Sequence, residues 1–233
     1  MCTSFISRNQ DTIIGMNFDN NGMNYSINTS NPYQFTVLVD GGSGKYPSFG
    51  VNSNGLFINN LVVDSNGKGL YRRPSTKATH TTKLVTDVLS GVIQAENLDE
   101  YLKRIEVVNS PDWSTHNMIC DSNANVWVVE PGRGNIVNLA DSSPFFVMTN
   151  FSLWDYMYNN VPCECSRYKT VKDELSKDRN LTVDDAFHIL DMVKQTSGEW
   201  TTALSMVYSH DNHTVYYCIN RNFEERHEYK FPI

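Results

Sequence analysis

The second residue of the chain is a cysteine that could act as a nucleophile with its own backbone nitrogen as the base. Removal of Met1 would leave Cys2 as the N-terminal residue. A thiolate is a good nucleophile. An α-amine has an ordinary pKa of about 7.7 to 8.0, so its neutral form can take the thiol proton near physiological pH. Because a cysteine at position two is more often incidental, this assignment depends on the residues around it.

An aspartate is expected beside this amine. The strand-like segments Cys2–Ser7 and Thr12–Asn17 flank a polar turn at residues 8–11, which predicts a hairpin. Since a tight antiparallel hairpin returns the end of its second strand to the start of its first, Asp19 should lie next to the α-amine and orient it. The alternative is a solvated turn residue before Asn20.

These two segments resemble the start of a known family, the N-terminal-nucleophile (Ntn) hydrolases of the choloylglycine hydrolase and penicillin V acylase type, with their acyltransferase and ceramidase-like relatives. That family begins Met-Cys-Thr and continues to Gly-Arg-Asn-x-Asp, and the counterparts here are Met1-Cys2-Thr3 and Gly15-Met16-Asn17-Phe18-Asp19. The resemblance implies Cys2 as the nucleophile and Asp19 as the carboxylate near its amine. Met16 departs from the family's arginine, a cation that helps to lower the thiol pKa.

Two further motifs extend the resemblance along the chain. Val147-Met148-Thr149-Asn150 is similar to the family's Thr-Asn pair, which implies Asn150 in the oxyanion hole, where a good donor is worth roughly 3 to 4 kcal/mol. Ser166-Arg167-Tyr168 resembles a helix start whose arginine enters the site, which implies Arg167. The alternatives are a turn residue that ends a strand for Asn150 and a surface side chain for Arg167.

The resemblance leaves other site residues open. Gly55–Val63 resembles a central strand that supplies an asparagine, and both Asn59 and Asn60 are candidates, with Asn60 the candidate second oxyanion donor. Trp154 and Tyr156 follow Asn150 closely and could line an apolar acyl pocket, since such pockets favour aromatic side chains, or could be ordinary core. The chain is also shorter than the bile-salt enzymes of the family, which suggests trimmed substrate loops and a different homo-oligomer.

Neither a metal nor a cofactor is expected. Cys163 and Cys165 have no second Cys/His pair at zinc spacing, so they are interpreted as loop thiols. The glycine-rich segment 41–44 lacks the Lys-Ser/Thr that follows a phosphate-binding loop.

Composition indicates a folded chain and excludes several classes of protein. The 233 residues carry a formal net charge of -7, with 40% hydrophobic and 19% charged residues, which is typical of a globular protein. The acidic balance, without a stripe of lysine or arginine, argues against nucleic-acid binding. No apolar run is long enough for a membrane span. The start of the sequence has no signal-like segment and the five cysteines have no framework spacing, so we expect a cytoplasmic protein with free thiols.

The order of the elements predicts the fold class. Strand patterns, two helices, strands, two helices and strands again follow one another, where a parallel sheet would alternate more strictly. The helices are expected near Leu84–Ile93, Asn97–Val107, Ser166–Leu175 and Val183–Lys194, and Asp19–Pro32 is expected to be an irregular loop. Two antiparallel sheets covered by helices fit this order. With the resemblance, we expect an α+β fold, the four-layer αββα Ntn-hydrolase sandwich, as one domain over residues 1–233.

The sequence therefore predicts a cysteine amidase that hydrolyses a linear amide of a small molecule through an acyl-Cys2 intermediate. Two alternatives stay open: an N-acyltransferase that uses the same site, and a non-catalytic member of the fold that binds an acyl-bearing ligand. The substitution of Met16 for the family's arginine favours the non-catalytic alternative.

Overall fold

The computed structural model describes residues 1–42, 44–177 and 180–232, and these form two compact units. The first unit contains residues 1–23, 139–150 and 164–233, and the second contains residues 24–138 and 151–163. The expectation of a single domain stays a prediction. No helix within the described ranges is both long enough and apolar enough to cross a membrane.

The strands, in chain order, are β1 (Thr3–Arg8), β2 (Thr12–Asn20), β3 (Tyr25–Asn28), β4 (Gln34–Asp40), β5 (Lys45–Asn52), β6 (Phe57–Asn59), β7 (Leu61–Val62), β8 (Ala78–His80), β9 (Glu106–Val108), β10 (Thr115–Cys120), β11 (Val126–Glu130), β12 (Gly134–Asn138), β13 (Phe145–Met148), β14 (Thr201–Ser209), β15 (Thr214–Ile219) and β16 (His227–Lys230). The helices are α1 (Thr81–Leu89), α2 (Leu98–Arg104), α3 (Leu153–Tyr158), α4 (Ser166–Leu175) and α5 (Val183–Met192), and a 3₁₀ turn covers Ala95–Asn97.

The first unit is an antiparallel sheet that carries α4 and α5. Its strand order is β13-β1-β2-β14-β15-β16, with β1 and β2 joined by the predicted hairpin. Helix α5 packs on β2 and β14, and α4 packs on β1 and β13. Apolar residues of the sheet and of α5, among them Phe5, Val207, Phe187 and Leu190, are buried together. Burial of this apolar surface is the main force that holds the helices to the sheet.

A glycine allows the first hairpin to pack closely. Gly15 lies directly opposite Phe5 in the β1–β2 register. A Cβ atom at Gly15 would lie 2.3 Å from Cζ of the Phe5 ring, which no side chain can tolerate. The phenyl ring therefore lies across the neighbouring strand only because residue 15 has no side chain.

The second unit is built on a larger antiparallel sheet with strand order β12-β11-β10-β6-β5-β4-β3, and β7 also pairs with β10. Helices α1 and α2 bury their apolar residues against one another and against this sheet, as Leu84, Val88, Leu98 and Ile119 show. A short parallel pair, β8 with β9, is an addition that the sequence did not indicate. The predicted fold class, α+β with two antiparallel sheets that carry helices, is confirmed.

A buried carboxylate organises the chain around α3 in the second unit. Glu130 is paired with His116 Nδ1 at 2.8 Å and accepts hydrogen bonds from the Ser152 hydroxyl at 2.6 Å and from the backbone N–H groups of Leu153 and Trp154. Burial raises the pKa of Glu130, but these donors outweigh it and hold the pKa below its ordinary value of 4.5. The carboxylate thus satisfies the orphan N–H groups at the start of α3.

Three local predictions from the sequence were wrong in extent. The segment Asp19–Pro32 is not an irregular loop, because β2 continues to Asn20 and Tyr25–Asn28 forms β3 against β4. The second helix ends at Arg104, since Glu106–Val108 pairs with β8 instead. The strand expected over Gly55–Val63 is interrupted at Asn60. At Tyr25–Asn28 and at Glu106–Val108, pairing with another strand overrode the local pattern.

We expect the substitution Glu130→Gln to lower the free energy of unfolding by about 2 to 4 kcal/mol at pH 7, because an amide NH₂ would face donors in a buried place. Since the folded-state pKa of Glu130 is depressed, its stabilisation is present above pH 4.5 and is lost as the pH falls through the folded pKa. Urea unfolding at pH 7 and in acid measures this, and the difference from the unsubstituted chain should narrow in acid. The exposed Glu100→Gln is the control, and an equal loss in both variants would contradict the prediction.

Candidate active site

Strand register brings the predicted site residues of the first unit together. Strand β1 lies between β2 and β13, with Thr3 opposite Asn17 and Ser4 opposite Met148. Continuing these antiparallel registers by two places puts Met1 opposite Asp19 and Cys2 opposite Asn150. The sequence predicted both neighbours of Cys2, and the structure places them at the same end of the sheet.

The carboxylate of Asp19 lies at the centre of this cluster. Its side chain is 1% exposed. Oδ1 accepts a hydrogen bond from the Thr202 hydroxyl at 2.5 Å, and Oδ2 accepts one from Gln195 Nε2 at 2.8 Å. The Met1 amine and Arg167 Nη1 each lie 3.8 Å from Oδ2. Burial raises the pKa of Asp19 above its ordinary value, and the two hydrogen bonds and the two cations oppose that rise.

Arg167, in the first turn of α4, connects the residues around Cys2. One guanidinium nitrogen, Nη1, donates to the carbonyl oxygens of Met1 and Cys2 and to the Thr3 hydroxyl. The other, Nη2, donates to Oδ1 of Asn150 at 3.1 Å. The fork geometry of a guanidinium allows these simultaneous contacts. Since Oδ1 of Asn150 faces Arg167, the NH₂ group of Asn150, its donor end, lies on the far side of the amide.

The thiol of Cys2 is buried and is protonated at neutral pH while Met1 is attached. Cys2 is 7% exposed, and its Sγ lies 3.8 Å from the backbone oxygen of Asp19. Burial and the negative charge of Asp19 raise the thiol pKa to about 11, against the influence of the terminal amine and Arg167. Burial also lowers the pKa of the Met1 amine below 8.0.

Met16 brings no charge to this site. Its side chain is fully buried in β2, opposite Ser4 on one side and Met206 on the other. The cation that contacts Cys2 is Arg167, through the Cys2 carbonyl oxygen. Arg167 therefore lowers the thiol pKa of Cys2, but burial and the Asp19 charge still raise that pKa to about 11.

The other predicted site residues belong to the second unit. Asn59 accepts a hydrogen bond from the Met118 N–H at 2.9 Å, whereas Asn60 bonds to the side chains of Thr82 and Asn117. The Trp154 ring lies against Tyr158 with ring centroids 4.5 Å apart, and Tyr156 makes an edge contact with Phe151. A role of these four residues in the site stays a prediction.

Sequence reasoning missed two residues that contact Asp19. Thr202 lies opposite Asp19 in the β2–β14 pair, just before a bulge at Ala203 that shifts the register. No motif in the sequence analysis includes Thr202. Gln195 follows α5 in a segment without regular structure, and no spacing in the sequence connects it with Asp19.

A cavity of about 340 Å³ opens beside Arg167 and Gln195. This volume is at the lower end of the range for small-molecule sites. Its wall is mainly polar, with hydroxyl and ammonium groups from Ser166, Thr170, Lys194, Thr196 and Ser197. The cavity therefore suits a small group that forms hydrogen bonds.

No metal cluster is present among the described residues, in the sense that no three His, Cys, Asp or Glu side chains there are grouped to hold an ion.

Comparison with solved structures identifies the fold. The chain is similar to the mutant C2A of a conjugated bile acid hydrolase from Clostridium perfringens, with a TM-score of 0.73 and 16% identity over 98% of this chain and 92% of that one. It is also similar to penicillin V acylase from Agrobacterium tumefaciens (TM-score 0.65, 14% identity, 94% and 83% covered) and to the Caenorhabditis elegans N-acylethanolamine-hydrolyzing acid amidase ortholog (0.63, 16%, 88% and 92%). No protein-family model and no curated protein matches the sequence significantly. The chain thus has the Ntn-hydrolase sandwich fold that the sequence predicted.

We expect Arg167→Leu to slow alkylation of Cys2 by iodoacetamide by roughly three- to tenfold at pH 8, because loss of the guanidinium raises the thiol pKa further. The measurement is the pH dependence of Cys2 labelling, followed by peptide mass spectrometry. Arg226→Leu is the matched control, since Arg226 contacts Asp184 and Phe187. Equal labelling rates in the two variants would contradict this role for Arg167.

Proposed function

We propose that this protein is a cysteine amidase of the Ntn type, which hydrolyses a linear amide bond of a small molecule through an acyl-Cys2 intermediate. The observation that carries the proposal is the strand register that brings Asp19 and Asn150 to Cys2, together with Arg167 of α4, which contacts Cys2 and Asn150. The fold supports it, since the similar structures are named as hydrolases and an acylase of amide compounds. The bile acid hydrolase structure is a mutant in which alanine replaces a cysteine at residue two, the same residue number as Cys2 here.

The reaction begins once Met1 has been removed and Cys2 carries the α-amine. The amine takes the thiol proton, and the sulfur attacks the amide carbonyl carbon to form a C–S bond. The C–N bond then breaks, and the ammonium gives its proton to the leaving amine. Water, activated by the same amine, adds to the thioester carbonyl, and the C–S bond breaks to release the carboxylic acid and the thiol. An acceptor amine in place of water would make the protein an N-acyltransferase.

Each neighbour of Cys2 has a role in this proposal. Asn150 donates through its amide NH₂ to the oxyanion of the tetrahedral intermediate. Asp19 orients the α-amine. Arg167 holds the Cys2 carbonyl and the Asn150 amide in place, so that nucleophile and oxyanion donor keep a fixed geometry.

The cavity beside Arg167 and Gln195 indicates which chemical groups the substrate carries next to the scissile bond. The Met1 carbonyl, which is bonded to the nitrogen of Cys2, accepts hydrogen bonds from Gln195 Nε2 at 3.0 Å and from Arg167 Nη1 at 3.3 Å. The leaving amine must approach the same nitrogen to receive its proton. The polar wall of the cavity therefore favours a substrate with a small polar group on the amine side of the scissile bond.

We expect Cys2→Ala to abolish turnover of N-acyl amides, because it removes the nucleophile, while the melting temperature changes little. A panel of bile-salt conjugates, phenoxyacetyl amides and fatty acyl amides, quenched in acid and analysed by intact mass spectrometry, should trap an acyl adduct on Cys2 in the unsubstituted chain. Cys163→Ala is the control and should keep both the adduct and the turnover. Turnover retained by Cys2→Ala would refute the mechanism.

A second candidate function is a non-catalytic binding protein of the same fold. The observation that favours it is the thiol pKa of about 11 in a chain that retains Met1, at which almost no thiolate exists at pH 7. Such a protein would hold an acyl-bearing ligand without forming a bond to it.

We expect the labelling rate of Cys2, in a chain that begins at Cys2, to distinguish the amidase from the binding protein. With the α-amine adjacent to the thiol, iodoacetamide at pH 7.5 should label Cys2 stoichiometrically and at least about tenfold faster than Cys163. The matched control is a chain in which Met1 is retained, as verified by intact mass, and its Cys2 should react slowly. Slow labelling of Cys2 in both chains, at a rate like that of Cys163, favours the binding protein.

A further inference from the structure

The feature that carries a further inference is the pair of neutral donors on Asp19. Thr202 holds Oδ1 and Gln195 holds Oδ2, so each carboxylate oxygen has a hydrogen bond from an uncharged side chain. The cations are farther away, since the Met1 amine and Arg167 both lie 3.8 Å from Oδ2. A direct charge-assisted hydrogen bond would be about 2.7 to 2.9 Å. The neutral donors therefore provide the short contacts of this buried charge.

Thr202 and Gln195 also fix one another. The Thr202 N–H donates to the Gln195 carbonyl at 2.9 Å, and the Gln195 N–H donates to the Thr202 hydroxyl oxygen at 2.8 Å. The Thr202 hydroxyl thus accepts a hydrogen bond from Gln195 and donates its only proton to Asp19. The bond from Gln195 therefore fixes the orientation in which the hydroxyl donates. The two side chains reach the carboxylate from a rigid frame, with little rotamer entropy left to lose.

Burial of Asp19 makes this frame necessary. A carboxylate that is 1% exposed favours its protonated form unless donors compensate. The titratable and charged groups that face it are the terminal amine, Cys2 and Arg167, and Glu199 acts on the amine. A protonated Asp19 would no longer attract or orient the amine.

We propose that Gln195 and Thr202 are positioning residues of this site, which keep the buried Asp19 carboxylate ionised and aimed at the α-amine of Cys2. The function of the amine rests on the proposed amidase activity, whereas the effect on the ionisation of Asp19 does not. Gln195 Nε2 contacts both the Met1 carbonyl and Asp19, and removal of Met1 takes the first of these acceptors away.

Loss of either hydrogen-bond donor should raise the pH at which Asp19 is protonated. Thr202→Val removes the hydroxyl at nearly constant volume, and Gln195→Leu removes the amide. Each change deletes a hydrogen bond to the charged form of Asp19, so each should raise the pH at which Asp19 takes up a proton by roughly half a unit to one unit. Thr202→Ser keeps a hydroxyl and should restore the original value.

The first experiment needs no substrate. Chains that begin at Cys2 and carry ¹³C-labelled aspartate are titrated by NMR, and the Asp19 carboxyl signal is assigned with Asp19→Asn. We expect the midpoint to move upward in Thr202→Val and in Gln195→Leu and to be unchanged in Thr202→Ser. Thr196→Val is the matched control, because Thr196 lines the same cavity. Unchanged midpoints in both donor variants, with a native near-ultraviolet spectrum, would overturn the proposal.

The second experiment uses an amide that the unsubstituted chain hydrolyses. Two deprotonations, of Asp19 and of the α-amine, shape the acid limb of kcat/KM against pH. The break in the limb that coincides with the NMR midpoint of Asp19 should move to higher pH in Thr202→Val and Gln195→Leu by the same shift as that midpoint, and Thr202→Ser should restore it. A uniform loss of rate without a shift of the limb indicates a purely structural role and contradicts the proposal. If no amide is hydrolysed while the NMR midpoints move as expected, the proposed function fails and the inference on Asp19 stands.

Discussion

The antiparallel pairing of β1 with a neighbour on each side is the constraint on which the candidate site depends. Side chains that are far apart in sequence become neighbours because the sum of paired residue numbers is constant across an antiparallel ladder. A slip of one residue between β1 and β2 would turn the side chains of β2 to the opposite face and remove Asp19 from the end of β1. Gly15 helps to fix this register, since only a residue without a side chain fits beneath Phe5.

Two of the buried carboxylates, Glu130 and Asp19, show how similar groups acquire different properties. Glu130 has four hydrogen-bond donors at short distance, including two backbone N–H groups and a histidine, and its pKa is depressed. Asp19 has two neutral donors and two more distant cations, and burial keeps its pKa raised. Glu130 is therefore a stable anchor of α3, whereas burial makes Asp19 easier to protonate than an exposed aspartate. Strongly perturbed groups in a cluster of this kind are typical of functional sites.

Met16 stands where the family has an arginine, and Arg167 still brings a cation to Cys2. A methionine in β2 can be buried completely, and it packs between two strands without a need for a counter-ion. The positive charge next to Cys2 comes from α4, and the same guanidinium holds the oxygen of Asn150. One side chain thus combines the electrostatic role with the positioning of a donor, which makes the site sensitive to the placement of α4 on β1 and β13.

Much of this arrangement follows from the sequence alone, and the rest depends on the packed chain. Periodicity and turn residues predicted the first hairpin, α4 and the start of α5, because each is determined by neighbours in the sequence. Motifs that resemble those of a known family predicted the candidate site residues Cys2, Asp19, Asn150 and Arg167. The sequence did not indicate Gln195 and Thr202, nor the strands β5, β9 and β12, since these depend on pairing and side-chain contacts across long chain separations. A hydrogen bond between residues 19 and 195 exists only after the sheet and α5 have packed, so tertiary structure alone decided how the buried carboxylate is held.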